Sequence, residues 1–146
     1  TPIGSRHAAC VDRIAQILFE RARGKAIVRV QSPVRLSERS EPQPDLGLLK
    51  RRRDFYAGGH PEPKDVLLLV EVTDTSQEFD RGVKVPLYAH SSIPEVWIVD
   101  LGAESVEIYT KPSAEGYRKI DIFKRRQTIS CQSIAELKLA VDEILG

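Results

Sequence analysis

The run Val66-Leu67-Leu68-Leu69-Val70-Glu71-Val72 constrains the fold of this chain more than any other segment. A strand with one wet face alternates apolar and polar residues, so an unbroken aliphatic run reads as a strand covered on both faces. Its single interruption is a carboxylate, which is costly to bury without a cation or hydrogen bonds. Glu71 therefore reads as a functional residue, against the plainer alternative of a glutamate facing solvent from an edge strand.

The remaining segments supply layers for such a strand. From His7 to about Arg23, the residues Ala8, Val11, Ile14, Ala15, Leu18 and Phe19 recur at helical spacing, and Gly24 marks a stop. Ala26, Val28 and Val30 alternate as a strand, and Val34 and Leu36 extend it or begin its partner. A turn-rich stretch from Ser37 to Pro44 precedes a short strand at Asp45 to Leu49. A helix is predicted from about Asp80 to His90, with Pro86 calling for a later start near Val83 or a kink. A strand at Val96 to Val99 follows, then a hairpin of Ser105 to Thr110 with Tyr117 to Phe123. Ile134, Leu137, Ala140 or Val141, Ile144 and Leu145 predict a closing helix capped by Ser133, with Glu136 three residues on. The order predicts a mixed α/β sandwich around a central sheet, in one domain over residues 1–146.

The net charge of +1 hides an asymmetry. Residues 1–64 carry 13 basic and 7 acidic side chains, a net of +6, whereas residues 65–146 carry 9 and 14, a net of −5. A basic surface facing an acidic site suits a polyanionic substrate. Cys10 and Cys131 lie far apart without metal-ligand spacing, so neither zinc nor a disulfide framework is expected, and a reducing cytoplasm fits. No apolar stretch reaches membrane-spanning length and no signal-peptide pattern opens the chain, so a soluble protein without membrane attachment is expected. Met is absent, so Thr1 is not expected to be the translation start.

Asp45 follows Pro44 and precedes Glu71 by 26 residues. If the two carboxylates converge, their hard oxygen donors suit Mg²⁺ or Mn²⁺, ions that act readily on phosphate esters. The Val72 carbonyl is a further candidate ligand. Phosphodiester hydrolysis also needs a cation for the charge of the transition state. Lys84, on the helix after the Glu71 strand, can supply it, or can simply pair with Asp80 one turn earlier. Thr73 shares the face of Glu71 by strand alternation, where many metal nucleases place a lysine.

Accessory candidates are weaker. His7 can line the pocket or bond a backbone carbonyl, Gln31 ends its strand near the presumed site, and Glu41 extends the acidic site or sits in a solvated loop. Lys50, Arg51, Arg52 and Arg53 open a long basic loop, read either as a solvated connector or as a nucleic-acid contact. Trp97 and Tyr88 read as core residues rather than stacking platforms.

The ordered segments Pro44-Asp45, Val70-Glu71-Val72-Thr73, Asp80-Arg81-Gly82-Val83-Lys84, Leu87-Tyr88-Ala89 and Ile93-Pro94-Glu95-Val96-Trp97-Ile98-Val99-Asp100, with His7 on the first helix, resemble the Uma-two family of predicted endonucleases. That family belongs to the PD-(D/E)XK superfamily, and the likeness covers nearly the whole chain. It implies a restriction-endonuclease-like fold, a central mixed β-sheet flanked by helices. By the same resemblance Asp45 is the PD aspartate and Glu71 the acidic residue of (D/E)XK, both holding the metal. Thr73 departs from the usual lysine, and Lys84 matches the helix position from which a lysine takes over in much of the family. The implied function is a metal-dependent endonuclease acting on DNA. The alternatives are a non-catalytic module of nuclease fold that binds nucleic acid or a protein partner, and a hydrolase of smaller phosphate esters. Nucleases of this fold often act as dimers, so a homodimer is a further expectation.

Overall fold

The structure is a computed structural model that describes residues 4–74 and 81–146. Helix α1 (Ser5–Arg21) follows the predicted amphipathic segment and buries Cys10, Val11, Ile14, Ile17 and Leu18 along one stripe. Gly24 follows in the left-handed region (φ +79°), where a Cβ is disfavoured, and turns the chain into β1 (Ile27–Val30). Strand β2 (Leu46–Leu49) pairs antiparallel with β1 and with β3 (Val66–Thr73). Helix α2 (Arg81–His90) crosses to β4 (Glu95–Asp100), which lies parallel to β3. The antiparallel hairpin β5 (Ser105–Ser113) and β6 (Gly116–Lys124) completes a mixed six-stranded sheet in the order β1-β2-β3-β4-β5-β6.

β3 is buried on both faces, as its aliphatic run requires. Leu68, Val70 and Val72 join Trp97 and Val99 in the core under α1, whereas Leu69 joins Val96, Ile98, Val85 and Tyr88 in the core under α2. Glu71 and Thr73 share the side of Leu69 by alternation. Among the described residues, no helix is long and apolar enough to cross a membrane.

Three expectations are corrected. The closing helix over residues 134–145 is replaced by the strands β7 (Thr128–Cys131) and β8 (Ile134–Ala140), a separate antiparallel ribbon, and only Val141–Leu145 forms a helix, α3. Leu137, Leu139 and Val141 are buried at a period of two while Glu136 and Lys138 point outward. That alternation competes with the helical spacing, and pairing with Ile129 and Cys131 decides for the strand. Val34 and Leu36 belong to no extended strand. Val34 is buried within an excursion that returns through hydrogen bonds from its N–H to the Pro42 carbonyl (3.0 Å) and from the Leu36 N–H to the Ser40 carbonyl (2.9 Å). Finally, α2 is helical from Arg81, ahead of the later start near Val83, and runs through Pro86, so no N–H is available there for the Gly82 carbonyl.

Candidate active site

β2 and β3 stop pairing at Leu46 opposite Val70, and one residue further out stand Asp45 and Glu71. Asp45 is held by its main chain and its side chain at once. Its carbonyl accepts the Gln31 N–H (3.0 Å), and its Oδ2 accepts the Val72 N–H (2.8 Å), replacing the strand backbone that β2 no longer provides. In a strand the N–H and C=O of one residue point to the same side. The Val72 carbonyl therefore faces the Asp45 side, while the next carbonyl, that of Thr73, accepts the Leu101 N–H on the β4 side (2.7 Å). Two carboxylates and a carbonyl thus gather where the antiparallel pair opens. His7 on α1 approaches Asp45 Oδ2 with Nε2 at 3.3 Å, and its Nδ1 is buried without a hydrogen-bond partner.

Glu71 is 2 % exposed. Two side chains of α2, one turn apart, reach it: Lys84 Nζ lies 2.8 Å from Oε2, and the Tyr88 hydroxyl donates to Oε1 at 3.3 Å. Burial pushes the Glu71 carboxyl above its ordinary value of 4.5, the Lys84 ammonium pulls it back, and the charge of Asp45 pushes it up again. The two carboxylates therefore sense each other. Tyr88 is raised in turn, first by burial and then by the Glu71 charge. Both thiols are raised by burial, Cys10 to about 11, so neither is an accessible nucleophile.

The other predicted residues divide. Thr73 is buried on the Glu71 side, and its hydroxyl donates at 3.5 Å to the Asp74 carbonyl. Gln31 meets the site through its backbone, with φ +50°. Glu41 faces Arg35 at 3.9 Å within the excursion. Asp80 lies outside the described residues. Lys50 to Arg53 leave the far end of β2, five residue steps or ~17 Å of strand from Asp45, so the basic run flanks the acidic pair at a distance.

The sequence reading missed two contributors. Tyr88, assigned to the core, also holds Glu71, and its spacing of four from Lys84 on one helix was the available signal. Arg81 ties α2 to Asp100 (2.8 Å) and to both oxygens of Glu107 (3.1 and 2.9 Å), and the Tyr109 hydroxyl donates to Glu107 at 2.7 Å. No local pattern joins those four residues. Among the described residues no three His, Cys, Asp or Glu side chains cluster as a metal cage. Asp45, Glu71 and the Val72 carbonyl are the oxygen donors that could hold a hard cation, and as a donor set they suit Mg²⁺ better than a thiophilic metal.

Residues 1–142 match the Uma2 family, described as "Putative restriction endonuclease". The chain belongs to the Uma2 family. Its fold is similar to the crystal structure of "a putative nuclease belonging to DUF820" from Anabaena variabilis, with a TM-score of 0.75 and 14 % identity, over 99 % of this chain and 82 % of that one. At that identity the likeness establishes the nuclease fold, and the site must be argued from its own residues. No curated protein matches the chain.

Proposed function

We propose that this Uma2 protein is a Mg²⁺-dependent endonuclease that hydrolyses phosphodiester bonds in DNA, with Asp45, Glu71 and the Val72 carbonyl as its metal-binding oxygens. The observation that carries this reading is the placement of Asp45 and Glu71 side by side where β2 and β3 part. A carboxylate kept in the core beside a second one raises its own pKa, and a divalent cation relieves both costs. The chemistry such an ion supplies when bound is polarisation of the scissile phosphate and acidification of the attacking water.

The chain's own side chains do the rest. His7 and the Val72 N–H fix Asp45 by binding the same oxygen, Oδ2, and no hydrogen bond to Oδ1 forms among the described residues. Tyr88 orients Glu71 from the buried side. Lys84, whose side chain is 39 % exposed, joins the buried carboxylate to the solvent. Its ammonium offsets the Glu71 charge and, turned toward substrate, stabilises the extra negative charge of the phosphoryl transition state. It thereby stands in for the lysine that Thr73 displaces.

A second reading draws on that same substitution. With Thr73 in the lysine position and Lys84 already paired to Glu71, the fold can serve as a nucleic-acid-binding module without turnover. Incubation with supercoiled plasmid separates the two. The endonuclease reading expects nicking with Mg²⁺ or Mn²⁺ that stops with chelator, and loss of at least a hundredfold in Glu71→Gln with the fold retained. Equal cutting by Glu71→Gln and the parent overturns the assigned site. Salt-sensitive binding without cleavage under any divalent ion selects the module.

A further inference from the structure

A cavity of about 700 Å³ lies away from the acidic pair. It lies at the opposite end of the β1-β2 hairpin, between the end of α1, the start of β1 and the basic loop. Five arginines line it, Arg23, Arg29, Arg51, Arg52 and Arg53, together with Phe19 and Phe55 and no acidic residue. Its volume is in the range of sites that hold a ring-sized ligand group.

The loop that forms one wall is pinned for this shape. Arg51 donates to the Gly24 carbonyl and Arg29 to the Phe55 carbonyl, each at 3.0 Å. The Arg52 guanidinium lies 4.4 Å over the Tyr56 ring, and the Tyr56 hydroxyl bonds the Lys50 carbonyl at 2.6 Å. Phe55 and Tyr56 both adopt left-handed φ, +51° and +61°, a region that bulky residues seldom occupy. The outcome is that Tyr56 turns inward while Phe55 is left 66 % exposed beside the cavity, facing α1, where Phe19 is 54 % exposed. Arg23 and Arg53 form no hydrogen bond or ion pair with any described residue.

We propose that this cavity takes an unpaired nucleotide from a single-stranded segment of nucleic acid, with Phe55 and Phe19 against the base and Arg23 and Arg53 on flanking phosphates. Exposed aromatic faces among arginines provide what a strand offers, a flat ring every few ångströms along a line of negative charge. Arg52 is already ion-paired with Asp54 at 2.9 Å, and the four remaining arginines still exceed the charge of one mononucleotide, which favours a strand over a free nucleotide. The ~17 Å of β2 between the cavity and Asp45 corresponds to about five steps of stacked strand at ~3.4 Å each. The cavity would thus hold a frayed or single-stranded end while the acidic pair addresses the backbone further along. This inference takes from the nuclease reading only the class of polymer.

Fluorescence anisotropy with a short labelled oligothymidylate, in EDTA so that nothing is cut, tests it. Wild type should bind the oligomer more tightly than a duplex of equal length. Phe55→Ala should weaken binding about tenfold, Phe55→Tyr should retain it, and Arg23→Glu and Arg53→Glu should each weaken it several-fold with a shallower salt dependence. Retention by Phe55→Tyr, with unchanged thermal unfolding, excludes a folding defect in the alanine variant. Undiminished binding by Phe55→Ala, equal preference for duplex, or competition by thymidine monophosphate at oligomer-like concentrations overturns the proposal. Phe55-dependent binding without cleavage leaves this site standing and removes the nuclease reading, and cleavage without Phe55-dependent binding does the reverse.

Discussion

Two glutamates are buried in the parallel pair at the centre of the sheet, Glu71 near the end of β3 and Glu95 at the start of β4, and they are buried in opposite ways. Glu95, 1 % exposed, lies on the α1 side and is satisfied by neutral donors: the Trp97 indole N–H at 2.8 Å, the Gln132 N–H at 3.0 Å and the Cys131 thiol at 3.6 Å. Those donors belong to β4, to the last residue of β7 and to the turn that follows it, so Glu95 clamps the ribbon onto the main sheet. Glu71 receives a phenol and an ammonium and faces another carboxylate. Burial raises both carboxyls. A carboxylate ringed by neutral N–H groups has its partners built in and serves the architecture. One held by an ammonium beside a second acid has a charge left to manage, which makes it a candidate site.

The comparison breaks most sharply on activity. Glu71→Gln is expected to lose cleavage at least a hundredfold, whereas Glu95→Gln should cut at close to the parental rate in the same plasmid assay, because it lies on the other side of the sheet. The second effect reverses the order. An amide at position 95 offers one acceptor where two N–H donors now converge, so Glu95→Gln should lower stability by about 1–3 kcal/mol in denaturant unfolding at pH 5. Little change there would show that the clamp is dispensable.

A pH series sharpens the contrast further. A carboxyl raised on folding keeps its proton in the native state after the unfolded chain has released it, so its contribution to stability is greatest in acid and declines as pH climbs from 4.5. Comparing unfolding midpoints of Glu71→Gln and wild type across roughly pH 5 to 8 should show the difference moving in favour of the variant as pH rises. Lys84→Ala should steepen the wild-type decline by leaving Glu71 without its ammonium, by an amount limited by the exposure of Lys84 to solvent. The smallest change is expected from Tyr88→Phe, which removes one 3.3 Å hydrogen bond and should cost about 0.5–1.5 kcal/mol while leaving metal-dependent cleavage detectable.

Much of this arrangement was legible along the chain. The aliphatic run forced β3 into the interior, the helical stripe of α1 and the β5-β6 hairpin followed their periodicities, and Glu71 stood out as a charge in an apolar strand. Asp45 gained meaning from its proline and from the family's ordered segments. Residues 134–140 went wrong because two periods coexist there and the partner strand that chooses between them lies outside any local window. Glu95 and the Arg81-Asp100-Glu107 network carried no local signal, since each depends on neighbours supplied by other elements. Sequence determined which residues must leave water and which charges would be expensive there, because transfer costs belong to the side chain itself. Only the tertiary structure decided what each buried charge would meet: neutral donors from a ribbon for Glu95, and for Glu71 an ammonium and an aspartate delivered by strand register and a crossing helix. Partners remote in sequence are set by packing and not by the residue that needs them.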